Sequence, residues 1–189
     1  MDSPIQVLFV LLPDSLALDW AGPAEALRMA NQALAAQGLP PRFALRFVGP
    51  QSEAVSSVGL KLAGLEPLPE RLPEPTWVVL VGQPGRTIAI DGLAAQATLA
   101  WLRGLHLAAG RLELVTVCAG AVLAAHAGLL RQRRATTHHQ HLDELALAAP
   151  GCQVVSNRVF VQDGPVHSSA GVTTGIDLML HRVSGVCGP

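Results

Sequence analysis

A cysteine stands where a β-branched apolar run meets a string of small residues. In VTVCAGAVLAAHAGLL, which begins at Val115, Cys118 is followed by Ala119, Gly120 and Ala121. A thiol raised on a sharp turn between a buried strand and a helix needs such neighbours, because larger side chains would strike the adjoining strands. The positive end of the following helix would stabilise the thiolate and lower its pKa. A poised thiol facing a ligand crevice is one reading of Cys118. A small hydrophobe filling the core is the other, and the local pattern leaves both open.

His138, His139 and His141 raise the question of a metal. A structural zinc site takes four ligands and a catalytic one three. On a helix only His138 and His141 share a face, and no further ligand stands at a convincing spacing, so no metal is expected. Thr136, Thr137, Thr173 and Thr174 read as caps and buried hydrogen-bond partners.

The elements that must position these residues alternate. Ile5 to Leu12 is a continuous apolar run, as for a strand covered on both faces. A helix over Ala21–Gln37 carries Ala24, Leu27, Asn31 and Leu34 along one side and stops at Gly38 and Pro40. RFALRFVG from Arg42 is a strand, VGLKLAGL a short hairpin arm, and EPLPERLPEPT a proline-punctuated loop. WVVLVG from Trp77 is a second buried strand. Asp91 is a plausible N-cap for the helix GLAAQATLAWLRGLHLAAG. LELVTV then runs into Cys118. RRATT is a short strand, HHQHLDELALAA helical, and CQVVSNRVFVQDGPVHSSA a set of strands around a turn at Asp163-Gly164. In the last helix, Ile176, Met179, Leu180 and Val183 share a face. Strands alternating with helices predict an α/β sandwich, with a mostly parallel central sheet and helices on both faces.

The chain has 189 residues, enough for one domain (1–189) with a substantial core. Half of them are hydrophobic and the formal net charge is -1, with 14% charged residues, so no electrostatic footprint for a nucleic-acid backbone is present. The basic cluster at Arg131 to Arg134 reads as a solvated loop. Three widely spaced cysteines (Cys118, Cys152, Cys187) imply no disulfide framework and favour a reducing cytoplasm. No apolar stretch reaches the ~18 residues needed to span a bilayer, so no membrane association is expected.

TVCAGAVLAAHAGLLRQRRATTHH resembles the ThiJ/PfpI superfamily, whose domain is similar to class I glutamine amidotransferases. LDWAGPAEALRMAN, VVLVG and SSAGVTTGIDLMLH agree with it in the expected order and extend the resemblance over nearly the whole chain. It implies a flavodoxin-like sandwich with Cys118 at a nucleophile elbow. Two branches look closest: the amidotransferase-like N-terminal domain of AraC-type transcription regulators, and isonitrile hydratase. Both share the segments that here contain Asp19, Gly22, Pro23 and Glu25, then Cys118, then Ala135 to His138, then Ala170 to Asp177. RVFVQDGPVHSSAGV fits the regulator branch better.

The resemblance also places residues around the cysteine. Asp19 is similar to the acidic residue that contacts the thiol in related enzymes, where it acts as a general base or shares a proton; an N-cap for its helix is the alternative. Paired glycines after the middle strand are replaced by Gly82-Gln83, whose backbone would still suit an oxyanion hole while the Gln83 side chain crowds the pocket. His138 falls near the pocket or at a helix start. Hydrolytic members carry histidine directly after the cysteine, and the hydratase a hydroxyl residue; Ala119 supplies neither.

The expectation is an effector-sensing, dimerising domain of an AraC-type regulator. It would bind a small metabolite around Cys118, Ala119, Asp19, Gly82, Gln83 and His138, and reach DNA only through a helix-turn-helix domain beyond Pro189. No cofactor is implied. The alternative is a stand-alone hydratase or amidase with Cys118 as nucleophile and Asp19 as acid/base. A redox role through oxidation of Cys118 is a third reading, which nothing else in the sequence supports.

Overall fold

Residues 3–188 are described in a computed structural model. In chain order the elements are β1 (Ile5–Val10), α1 (Ala17–Ala36), β2 (Phe43–Gly49), β3 (Glu53–Val55), β4 (Lys61–Ala63), β5 (Glu66–Pro67), β6 (Thr76–Leu80) and α2 (Leu93–Arg103). They continue with β7 (Leu112–Val117), α3 (Gly120–His126), β8 (Arg134–Ala135), a 3-10 turn (His139–His141), α4 (Leu142–Ala148), β9 (Gln153–Val154), β10 (Phe160–Asp163), β11 (Val166–Ser169) and α5 (Thr174–Cys187).

Seven strands form one sheet in the order β10-β11-β7-β6-β1-β2-β5. All neighbours run parallel except the β10–β11 hairpin at the edge. Every residue of β6 is buried, as are five of the six in β1 and in β7. That is the mark of a sheet covered on both faces, and it is why those strands read as largely apolar runs rich in Val and Leu. α1 packs on α5, while α3 packs on α2 and α4. The result is the three-layer α/β sandwich that the alternation of elements predicts.

The chain leaves β1 in one direction, to β2 and β5, and then returns to the other side of β1 to build β6, β7 and β11. The strand order therefore reverses between β1 and β6. In open α/β sheets ligands bind beyond the carboxyl ends of the strands at such a switch point. Residues following β1, β6 and β7 converge there.

Several local expectations are corrected. α1 starts at Ala17, a turn earlier than Ala21, with Leu16 as its capping residue and no side-chain cap. The start is fixed from outside the helix: Leu16 N–H donates to the carbonyl of Gly82 at 2.9 Å. Asp91 does not cap α2, which begins after Gly92. EPLPERLPEPT is loop apart from the two-residue edge strand β5, where a proline is tolerated, and Thr76, which opens β6. On α5 the buried stripe is Gly175, Leu178 and Met179, while Leu180 is 51% exposed. The stripe continues at i+7 through the largely buried Arg182, with the partly buried Val183 packed against the core beside it.

Candidate functional site

Cys118 directly follows β7 and has φ +55. A non-glycine residue in the left-handed region is strained and persists only where its surroundings fix it. Two hydrogen bonds do so: Cys118 N–H donates to the Ser169 carbonyl at 3.2 Å, and the Thr137 hydroxyl donates to the Cys118 carbonyl at 2.8 Å. The sharp turn expected from Ala119, Gly120 and Ala121 is present, with all three residues buried.

Asp19 is 1% exposed and sits in the first turn of α1, pointing away from its own helix. Its Oδ2 accepts from Gly82 N–H at 3.1 Å, and the Cys118 thiol bonds to the same carboxyl. Asp19 is thus not an N-cap; it faces the cysteine across the β1/β6 switch point. Gly82 must be glycine for this approach, since a Cβ there would lie 2.9 Å from Asp19 Oδ2 and 3.0 Å from Cys118 Cβ.

Burial pushes the Asp19 carboxyl up to about 6, against the hydrogen bond from Gly82. Burial, and then the charge of Asp19, push the Cys118 thiol up to about 12, opposed by the backbone N–H groups of Ala119 and Val172. The expected lowering by a helix end does not occur. α3 is only seven residues long, and the nearest full charge is negative. At neutral pH the site therefore holds a protonated thiol beside a carboxylate that titrates slightly below neutrality.

A cleft of about 480 Å³ opens over this pair, within the usual size of small-molecule sites. Cys118, Asp19, Gln83 and His138 line it, joined by apolar side chains such as Leu16 and Val172. Gly82 and Ala119 are not among its lining residues. The Gln83 amide does not swing freely across the opening, because its Nε2 donates to the Pro13 carbonyl at 2.6 Å. His138 caps the 3-10 turn, accepting from Gln140 N–H at 3.4 Å. No group of three or more His, Cys, Asp or Glu among the described residues is placed to hold a metal ion.

Sequence reasoning missed several parts of the wall. Ser57 and Val58 arrive from the β3–β4 hairpin, and Val172, φ +56 and 54% exposed, from the turn before α5. His141, weighed only as a metal ligand, is buried and lines the cleft. Its Nδ1 lies 2.7 Å from Glu144 Oε2, and Glu144 Oε1 accepts from Ile88 N–H at 2.8 Å. This clasp ties the segment after Gln83 to α4. The i, i+3 spacing of His141 and Glu144 was the signal available for it. Glu144→Ala is expected to cost about 1–3 kcal/mol, by leaving two buried donors unpaired. It should also speed proteolysis at residues 83–90, with Glu144→Gln retaining part of the loss; equal cutting rates in wild type and Glu144→Ala would refute the clasp.

A mostly parallel α/β sandwich with a cysteine elbow at its switch point defines a broad class of domains. Residues 6–184 match the DJ-1/PfpI family, and the chain belongs to it. It is 32% identical over 190 residues to the HTH-type transcriptional regulator CdhR of Pseudomonas aeruginosa, covering 96% of this chain and 50% of that protein. It is 40% identical over 67 residues to the isonitrile hydratase of Pseudomonas putida, covering 35% of this chain and 28% of the hydratase. The chain thus spans half or less of the length of these two relatives. Among solved structures, an AraC family transcriptional regulator from Pseudomonas putida superimposes with TM-score 0.77 at 20% identity, over 98% of this chain and 94% of that one. Drosophila melanogaster DJ-1beta superimposes with TM-score 0.71 at 18% identity, over 99% and 92%. At these identities the structural matches speak for the fold. No helix among the described residues is long and apolar enough to cross a membrane.

Proposed function

We propose that this domain is the effector-sensing and dimerising part of an AraC-type transcription regulator, holding a small metabolite in the cleft over Cys118 and Asp19. The similarity to CdhR along 96% of the chain carries the reading. The site's chemistry supports it: the thiol is pushed up to about 12, and Ala119 stands where a hydrolase would place its base. The occupant would touch Val172, which leads directly into α5, and α5 packs on α1. Pressure at Val172 therefore has a rigid element through which to alter a homodimer, and with it DNA-binding domains lying outside this chain in the cytoplasmic full-length protein.

A thermal-shift screen of small amides, amines and nitriles tests this. A true effector at a hundredfold its Kd adds about 2.7 kcal/mol, or about 5–10 °C in a domain of this size. Cys118→Ala is expected to keep the fold, to change that shift modestly and to reveal no turnover in the parent protein. Turnover that disappears in Cys118→Ala would replace this reading with the second one, an enzyme of the isonitrile hydratase or amidase kind. One observation favours that rival: the Asp19 carboxyl, at about 6, is bonded to the thiol and suited to acid/base exchange near neutrality.

A further inference from the structure

Two histidines are buried, and they differ in what their free nitrogen meets. Burial and the neighbouring Arg182 push His167 down to about 4, and its unpartnered Nδ1 is sealed inside the protein. His141, 3% exposed, lines the cleft over Cys118. Its Nδ1 lies 2.7 Å from Glu144 Oε2. Glu144 Oε1 already accepts from Ile88 N–H, and a carboxylate only accepts, so the ring proton sits on Nδ1. In the neutral ring Nε2 is then a bare acceptor. It has no partner among the described residues, and it is not among the unpartnered atoms closed off from solvent.

Two more lining groups are oriented in the same way. Gln83 Nε2 donates to the Pro13 carbonyl at 2.6 Å, which makes Oε1 the free end of that amide. His138 Nδ1 accepts from Gln140 N–H at 3.4 Å, so the proton of the neutral ring is on Nε2. Burial and the adjacent His139 and His141 favour that neutral form. The cleft thus presents two acceptors, His141 Nε2 and Gln83 Oε1, and one donor, His138 Nε2–H, each fixed by a bond on its other side. The rings of His138 and His141 are 6.1 Å apart, centre to centre, close enough to share one small polar group. No lysine or arginine lines the cleft, while Leu16, Val58 and Val172 give it an apolar wall.

A primary carboxamide carries the complementary set: two N–H donors, one carbonyl acceptor and no charge. We infer that the cleft, read as the effector site and resting on that reading, recognises a primary carboxamide on a short hydrocarbon chain, its NH2 held by His141 and Gln83 and its carbonyl by His138. Glu144 acts through His141 as a positioning residue, fixing which nitrogen faces the occupant.

Calorimetric titration of the 189-residue protein with butyramide, N,N-dimethylbutyramide, butylamine and butyrate, each separately, tests the inference. Butyramide is expected to bind saturably at millimolar concentration, and the other probes about tenfold more weakly or worse. The dimethyl amide has no N–H to give and the amine no acceptor; butyrate lacks a donor and is repelled by Asp19. His141→Asn should weaken butyramide binding by about tenfold or more and leave cutting at residues 83–90 unchanged, because the asparagine amide can still donate to Glu144 while nothing replaces Nε2. Absence of butyramide binding would overturn the inference. So would equal affinity for the dimethyl amide, butylamine or butyrate, or undiminished affinity in His141→Asn. Preferred binding of butylamine or butyrate would refute the carboxamide and leave an effector site standing. Ammonia released from bound butyramide, and lost in Cys118→Ala, would keep the carboxamide and refute the effector.

Discussion

Gly171→Ala is expected to lower stability by about 3–4 kcal/mol, the joint cost of a strained φ and an overpacked contact. In a domain of this size that is a fall in melting temperature of about 6–16 °C. Gly171 has φ +96, and a Cβ built on it would lie 2.6 Å from both Cβ and Sγ of Cys118. The cysteine cannot retreat easily, because its own backbone is held at φ +55 by Ser169 and Thr137. Gly38→Ala separates the two costs. Gly38 has φ +73 with nothing within 4 Å of its would-be Cβ, so that variant carries the backbone strain alone, about 1 kcal/mol. The excess in Gly171→Ala measures the crowding behind the thiol. It should be accompanied by faster alkylation of Cys118, as the side chain is driven toward the cleft. Equal losses for the two alanine variants in urea denaturation would mean that the β11–α5 turn does not clamp the cysteine.

That clamp also marks where the sequence stopped being readable. The strands were legible because two-sided burial writes itself as runs of apolar residues, as at residues 7–10 and 77–80. The elbow was legible because a tight crossing excludes all but small side chains, hence Ala119, Gly120 and Ala121. Asp19 and His138 were placed through the family resemblance, and both line the cleft. What escaped were interactions between distant segments with no local period. Glu144 of α4 reaches Ile88 in a loop 56 positions away, and the β3–β4 hairpin delivers Val58 to the cleft. The direction of the cysteine's pKa escaped for the same reason. A dipole at a helix end is visible in sequence, whereas a carboxylate brought in from ninety-nine positions away is felt only once the first turn of α1 meets the turn that follows β7.

The charges at the two ends of the sheet make opposite demands on pH, and Asp19→Asn should expose this. Asp19 titrates at about 6 in the folded chain and at about 3.9 when unfolded. A raised acid stabilises the fold when protonated, so its contribution is complete below about pH 3.9 and is lost as pH rises through 6. The shift corresponds to about 2–3 kcal/mol. His167 works the other way. Its pKa is about 4 in the fold and about 6.5 unfolded, so its contribution is complete above 6.5 and is lost as pH falls through 4, again about 3 kcal/mol. Between pH 4 and 6 the two slopes run against each other, and the wild-type stability curve is expected to be nearly flat there. Asp19→Asn removes one slope. At pH 7.5 the variant should be about 2–3 kcal/mol more stable than wild type, and near pH 4 about equal to it, so its stability falls steeply on acidification where the parent's does not. The same change removes the negative charge beside Cys118, and the thiol should then ionise at lower pH, read as thiolate absorbance. Urea unfolding curves across this range decide the matter. An Asp19→Asn protein no more stable than wild type at pH 7.5, with an unmoved thiol titration, would show that Asp19 is already neutral there. The energetic tension between a buried carboxylate and its cysteine would then not exist, and burial alone, the larger of the two causes, would be left to hold the thiol protonated at the base of the cleft.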